Sequence, residues 1–273
     1  MNRRLAAQVL AAIVSAAGLY AQPQQQSNTR ANWPCGAHVD PSYFHLAEAT
    51  GGQLLLLAPS EIVSSADLST MFDRHPQTIF RLGGTINPGL HEFRVPIDAS
   101  VEDVMFSISV QCLQTAEVLR PSGAAAVGDG VTDLSNFVAV RMIIVSRPEP
   151  GTWTVRVSGK GLAGVIVKAR SASGIASVEF APAGATTFTR LPVAGVENAV
   201  RIRVSGHAAN VEASLVDAVS KPIASLPLEP SDADGSYQSR FTPGSAGFRV
   251  MITGQGENAT AIQRVYASLF TAR

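Results

Sequence analysis

The sequence predicts a mainly β protein: two tandem immunoglobulin-like β-sandwiches preceded by a short helix–strand–helix segment. Three observations predict it. From Phe80 onward, runs rich in Val, Ile, Thr and Phe alternate with polar residues and are punctuated by Pro and Gly every ten residues or so, which is sandwich patterning. The pattern restarts near Pro192, after the small-residue stretch Ala181-Pro182-Ala183-Gly184, leaving two blocks of about 90 residues, close to the ~100 of one sandwich. The composition suits such strands: of 273 residues 46% are hydrophobic and only 15% charged, where about 25% is usual. That is too apolar for a disordered chain. The 21 basic and 21 acidic residues balance, which argues against non-specific nucleic-acid binding.

At the N-terminus, Asn2-Arg3-Arg4 precedes an apolar run from Leu5 to Leu19, and Ala21 is a small residue before a polar stretch. This order predicts a signal peptide over residues 1–21. Retention as a membrane anchor is the other reading, but the run falls short of the ~20 residues a bilayer requires. The mature chain is then exported, extracellular or periplasmic, with 19 basic against 21 acidic residues and no later membrane span. Residues 22–34 read as a flexible polar leader containing Trp33, an exposed contact on this reading. Cys35 and Cys112 either pair in an oxidising compartment, closing a loop of 76 intervening residues, or stay as two buried thiols.

Residues 35–80 form the helix–strand–helix segment. Pro41 to Ala49 predicts a helix stopped by Thr50-Gly51-Gly52, and Leu54 to Leu57 a strand buried on both faces. Ser60 is the expected N-cap of a second helix, Glu61 to Phe72, with Ile62, Leu68, Met71 and Phe72 apolar.

The first sandwich is assigned to residues 81–182. Its strands are Leu90–Ile97, Val104–Val110, a strand closing at Leu119-Arg120-Pro121-Ser122-Gly123, Phe137–Val145, Thr152–Val157, Val165–Ala169 and Ile175–Phe180. Trp153 reads as its core tryptophan. The second, over 183–273, has Val200–Val204, Val211–Val216, Phe248–Ile252 and Arg264–Phe270. Asp232-Ala233-Asp234-Gly235 is a tight turn there.

Several signatures carry a family resemblance. They are Ala49-Thr50-Gly51-Gly52-Gln53, Gly89-Leu90-His91-Glu92-Phe93-Arg94-Val95-Pro96-Ile97-Asp98, Leu119-Arg120-Pro121-Ser122-Gly123, Pro148-Glu149-Pro150-Gly151-Thr152-Trp153-Thr154-Val155 and Gln263-Arg264-Val265. In this order and spacing the mature chain resembles hemicentin-like extracellular proteins, from the last elements of their von Willebrand factor A domain onward. Asp234-Gly235-Ser236-Tyr237 with Phe241-Thr242-Pro243-Gly244 is similar to the last hairpin of immunoglobulin-like domains, where Tyr237 would enter the core. The resemblance implies extracellular interaction or adhesion. It does not bring the A domain's metal site, because its Asp-x-Ser-x-Ser loop is absent between Gln22 and Cys35.

No chemical constellation stands out. His38, His45, His75, His91 and His207 share no short spacing, so a zinc site from His38, His45 and His75 competes with separate surface or packing roles. Asp232–Gly235 opens like a calcium loop but lacks the distal Glu. There is no Gly-x-Ser-x-Gly, and Gly159-Lys160-Gly161 lacks the rest of a phosphate loop. Cys35 as a catalytic thiol and Glu102-Asp103 as paired carboxylates have bland counterparts, a bridge and a solvated turn. The expectation is therefore a secreted, non-enzymatic protein with no catalytic, cofactor or metal residues, contacting an extracellular protein or cell-surface component through loops such as 124–133 and 229–239. An accessory carbohydrate-binding module is the alternative, weakened by a supply of only two Trp, four Tyr and 11 Phe for ring stacking. A fragment of an enzyme whose catalytic chain lies elsewhere is a third.

Overall fold

The computed structural model describes residues 13–14 and 34–273, apart from 66, 67, 69, 70, 72, 73, 75, 135, 136 and 232–234. The signal peptide, apart from Ile13 and Val14, and the leader through Trp33 lie outside these residues, as do Asp232–Asp234.

The protein is mainly β. Its first half is one five-stranded antiparallel sheet ordered β3-β7-β4-β6-β5. The members are β3 (Gln77–Ile97), β4 (Val101–Leu119), β5 (Val131–Leu134), β6 (Val140–Ser146) and β7 (Gly151–Ser171). At 19 to 21 residues, β3, β4 and β7 far exceed the usual five or six. The short runs read from sequence are halves of these strands: Leu90–Ile97 ends β3, while Thr152–Val157 and Val165–Ala169 are the two ends of β7.

Register shifts at Ile86/Gly89, Val110/Cys112 and Leu113/Thr115 bend the sheet. Gly159 sits at the bend because a side chain there would press to 2.7 Å from the Cys112 carbonyl oxygen. The bend turns one sheet into two facing layers. Phe80, in the first half of β3, meets Phe93 in its second half with ring centroids 5.5 Å apart. Phe106 of β4 meets Trp153 of β7 across the same gap at 5.6 Å. Ile79, Val95, Val104, Ile108 and Val165 fill the shared core. Trp153 is fully buried there, and its indole N–H donates to the Glu149 carbonyl at 3.0 Å.

The outer face of one layer is covered by the segment before β3. Helix α1 (Pro41–Thr50) begins at Asp40, whose carboxylate accepts from the Ser42 N–H at 2.8 Å, and ends at Gly51 in the left-handed region. Leu55, Leu57 and Leu68 pack on Met105, Val140 and Met142, and Ala47, Leu54 and Leu56 on Ala139. The predicted strand Leu54–Leu57 shortens to β2 (Leu55–Leu56), paired in parallel with β1 (Ile13–Val14). Side chains fasten it to the sheet below: Ser109 Oγ accepts from the Leu56 N–H at 3.0 Å, and Gln53 Nε2 donates to Ser107 Oγ at 2.8 Å.

The second predicted helix needs correction. Pro59–Glu61 and Val63–Ser65 are 3-10 turns, and Ser60 does not cap an α-helix. The Glu61 carboxylate turns back to accept from the Ala58 and Val138 N–H groups, both at 2.6 Å, which holds the chain in a tight turn. Leu68 and Met71 are helical; much of the rest, including Phe72, lies outside the described residues.

The second half is a sandwich of two four-stranded sheets, β12-β13-β9-β8 and β11-β10-β14-β15. The strands are β8 (Gly174–Pro182), β9 (Asn198–Ser205), β10 (Ala209–Val216), β11 (Pro222–Leu226), β12 (Glu229–Pro230), β13 (Ser236–Phe241), β14 (Arg249–Gln255) and β15 (Ala261–Val265). In sequence order this is the immunoglobulin arrangement of strands A, B, E and D against C, F and G with an added C′. Phe180 is ringed by Phe241, Phe248 and Phe270 at 6.0, 6.1 and 4.8 Å. Tyr237 packs against this core, half-buried.

One boundary moves. Residues 174–182, assigned from sequence to the first sandwich, are the edge strand β8 of the second. Ala181–Gly184 is thus the turn that ends β8, with the Ala185 N–H donating to the Pro182 carbonyl at 2.9 Å, and not a linker. Small residues and proline mark both features equally, so composition could not separate them.

Candidate binding groove

Two groups of side chains stand apart from the apolar cores: buried ion pairs between the halves, and a groove on the first. The ion pairs are a structural clasp. Glu48, near the end of α1, is 4% exposed and lies between Arg81 of β3 and Arg249 of β14. Its Oε1 accepts from Arg81 Nη2 at 2.7 Å and Nε at 3.2 Å, and its Oε2 accepts from Arg249 Nη2. Arg81 also donates to the carbonyls of Ala47, Gly51 and Gly52, the free acceptors at the C-terminus of α1. Burial, and then the nearby charge of Arg81, push Arg249 down to about 10, so it remains a cation at neutral pH.

A second pair, Asp98 with Arg264 of β15, is fully buried at 2.7 Å. Burial pushes the Asp98 carboxyl up, but the charge of Arg264 and the Ser100 donors outweigh it and hold the group below its ordinary value. Every charge here is answered within the protein, which marks a joint rather than a reactive centre.

The groove follows β4. β6 pairs with Asp103–Ser109 of β4, and the Val110 N–H reaches the Ala139 carbonyl at 2.9 Å. β6 ends there. From Leu113 to Glu117, β4 keeps β7 on one side and, among the described residues, has no strand on the other. Pairing resumes where the Ala126 N–H donates to the Val118 carbonyl at 2.8 Å and Ala125 bridges Leu119.

This edge lies at the bottom of two adjoining hollows. One, of about 320 Å³, is lined by Pro34, Cys35, Pro88, Cys112 and Lys160. The other, of about 350 Å³, is lined by Thr115, Glu117, Phe137 and Arg141. They meet at Leu113, Gln114 and Val138, and Val138 is 59% exposed. Cys35 and Cys112, joined by a disulfide with Cα atoms 4.5 Å apart, close one end. A wider hollow of about 650 Å³ beside Glu102, Asp103 and Arg170 is less promising, because those groups pair with one another.

The other residues singled out from sequence scatter. His38, His45 and His207 are exposed and apart in the fold, and the His91 Nε2–H donates to the Asn87 carbonyl at 2.8 Å. His75 lies outside the described residues. Residues 124–133 are a loop only in part: Ala125 bridges Leu119 and Val131–Asp133 join β5. Residues 229–239 are largely β12 and β13. Sequence reasoning missed Glu48, Arg81, Asp98, Arg249 and Arg264. The available signal was a charge inside an apolar strand, as in Ile79-Phe80-Arg81-Leu82 and Phe248-Arg249-Val250.

No family model matches the chain. It is 24% identical over 204 residues to hemicentin-1 of Homo sapiens, a match spanning 68% of this chain and 4% of that protein. Among solved structures, a lipase of Bacillus licheniformis in its propeptide form matches 70% of this chain and 40% of its own at a TM-score of 0.37 and 15% identity. A Bifidobacterium dentium β-glucuronidase complexed with coumarin-3-O-glucuronide matches 66% and 39% at 0.22 and 8%. Structural likenesses this slight bear on neither fold nor chemistry. The chain is thus a mainly β protein with a weak sequence likeness to one short stretch of a hemicentin.

Proposed function

We propose that this chain is an extracellular protein-contact module, secreted and non-enzymatic, which engages a partner protein at the groove along β4. The open strand edge between Leu113 and Glu117 carries the reading, because an unpaired row of backbone donors and acceptors is a ready template for another polypeptide. The Cys35–Cys112 disulfide supports work in an oxidising compartment. The likeness to hemicentin-1 supports an extracellular, adhesion-type role.

The test is a panel of displayed random peptides screened against the disulfide-intact chain beginning at Gln22. Selected peptides are expected to lose binding to Val138→Asp, which places a charge on the groove's bank. A blank peptide panel alongside a positive glycan array would replace this reading with the carbohydrate-binding one.

A further inference from the structure

Resting on that reading, we propose that the β4 edge binds an extended, acidic segment of the partner as an added β-strand. Four observations carry this. The first is direction. The Val118 carbonyl accepts from Ala126 on the open side, and alternate residues of a strand point their backbone groups the same way. Ala116 therefore offers its N–H and C=O to the groove.

The second is contrast with four of the other edges. The second half of β3 is interrupted by Pro96 and preceded by a bend at Pro88, β11 starts at Pro222, and β5 is four residues long with Asp133 in it. β15 is covered by β3, with Gln263 Nε2 donating to the Ile79 carbonyl at 3.0 Å. These are the usual devices that stop an edge from pairing. Leu113-Gln114-Thr115-Ala116-Glu117 carries the register shift at Leu113/Thr115 but no proline and, among the described residues, no covering strand.

The third is shape. The edge is recessed between Val138 and the Pro34–Cys35 and Pro88 side. One extended strand fits about 4.8 Å from β4 over about 17 Å of its length, whereas a second copy of the whole sheet is held off by those banks. The fourth is charge. Lys160, exposed at the Cys112 end, has no ion pair among the described residues. At the other end Arg141 Nη2 pairs with Asp133 at 3.6 Å, while its Nε is buried with no acceptor. Glu117, also in the lining, stands opposite Arg156 in register, but Arg156 pairs with Glu92 at 2.6 Å. The unmatched donors are Lys160 and the Arg141 Nε, so the incoming strand supplies carboxylates, with the strongest contact at the Lys160 end, away from Glu117.

The experiment is fluorescence anisotropy at low salt with three labelled eight-residue probes. These are an alternating Val/Thr/Glu peptide, its Lys-for-Glu counterpart, and the Glu peptide N-methylated on alternate residues. The Glu peptide is expected to bind saturably. N-methylation, which deletes backbone donors and leaves the protein untouched, should weaken it about tenfold or more. The Lys peptide should also bind about tenfold more weakly, and Lys160→Glu should narrow or invert that preference. Equal binding of the Glu peptide and its N-methylated form, or no binding by any probe, overturns strand addition. If strand addition fails while Val138→Asp still abolishes capture of displayed peptides, the protein-contact reading survives alone; if capture fails too, both fall.

Discussion

Arg81 and Arg249, from different sandwiches, bond to opposite oxygens of one carboxylate, Glu48. The helix that supplies Glu48 belongs to neither sandwich, so the N-terminal segment adds a third body to the joint, beside the direct Asp98–Arg264 and Gly83–Ala218 links between the halves. Replacing Glu48 by Gln leaves two guanidinium groups buried against a neutral amide. Breaking such a buried set by removing one partner costs about 3–5 kcal/mol. Urea denaturation at pH 7 is expected to show a loss of that order, and an unchanged midpoint would contradict the clasp.

Gly83 exists to admit that carboxylate. A side-chain carbon at Gly83 would lie 2.5 Å from the Glu48 carboxylate, and its own N–H donates to the Ala218 carbonyl of the second sandwich at 2.8 Å. Gly83→Ala is expected to cost about 1–3 kcal/mol through crowding. Because the clash is with Glu48, its cost should shrink in a Glu48→Ala background. Strictly additive losses in the double-mutant cycle would show that Gly83 matters for another reason.

Asp98 makes stability sensitive to acid. Its carboxyl titrates lower in the folded protein than unfolded, so the stabilisation is present above the unfolded value near 4 and is lost as pH falls through the folded one. Asp98→Asn should therefore be less stable at pH 7 and show a flatter decline of Tm between about pH 4 and pH 2. Parallel Tm curves for both proteins would refute this assignment.

The disulfide spans 77 positions. Loop-closure entropy for that span gives about 4 kcal/mol. The Cys35→Ser, Cys112→Ser double variant is expected to unfold at a lower urea concentration by an amount of that order, and peptide binding at the groove to weaken because Cys35 and Cys112 line its end. Wild-type stability in the double variant would mean the bridge only decorates the fold.

Local pattern made much of the fold legible. Asp40-Pro41 and Gly51-Gly52 bracket α1 as capping chemistry requires, and the alternation in Val200–Val204 and Val211–Val216 places β9 and β10. The bent sheet was hidden because Pro88-Gly89 and Gly159-Lys160-Gly161 carry turn signals while the strands run on through them. Glu61 failed as a helix residue because its carboxylate finds the Val138 N–H, 77 residues away, which no window contains. The groove was invisible for the same reason. It depends on where β6 stops relative to β4, a property of pairing and not of either strand's residues.

The continuous sheet also bears on how the protein comes apart. In an ordinary sandwich the layers meet only through side chains and can separate as sheets. Here β3, β4 and β7 each run through both layers. Splaying them means tearing hydrogen-bonded ladders at the bend, so the first half should open all at once, with its amide protons exchanging at nearly one rate on both sides of Gly159.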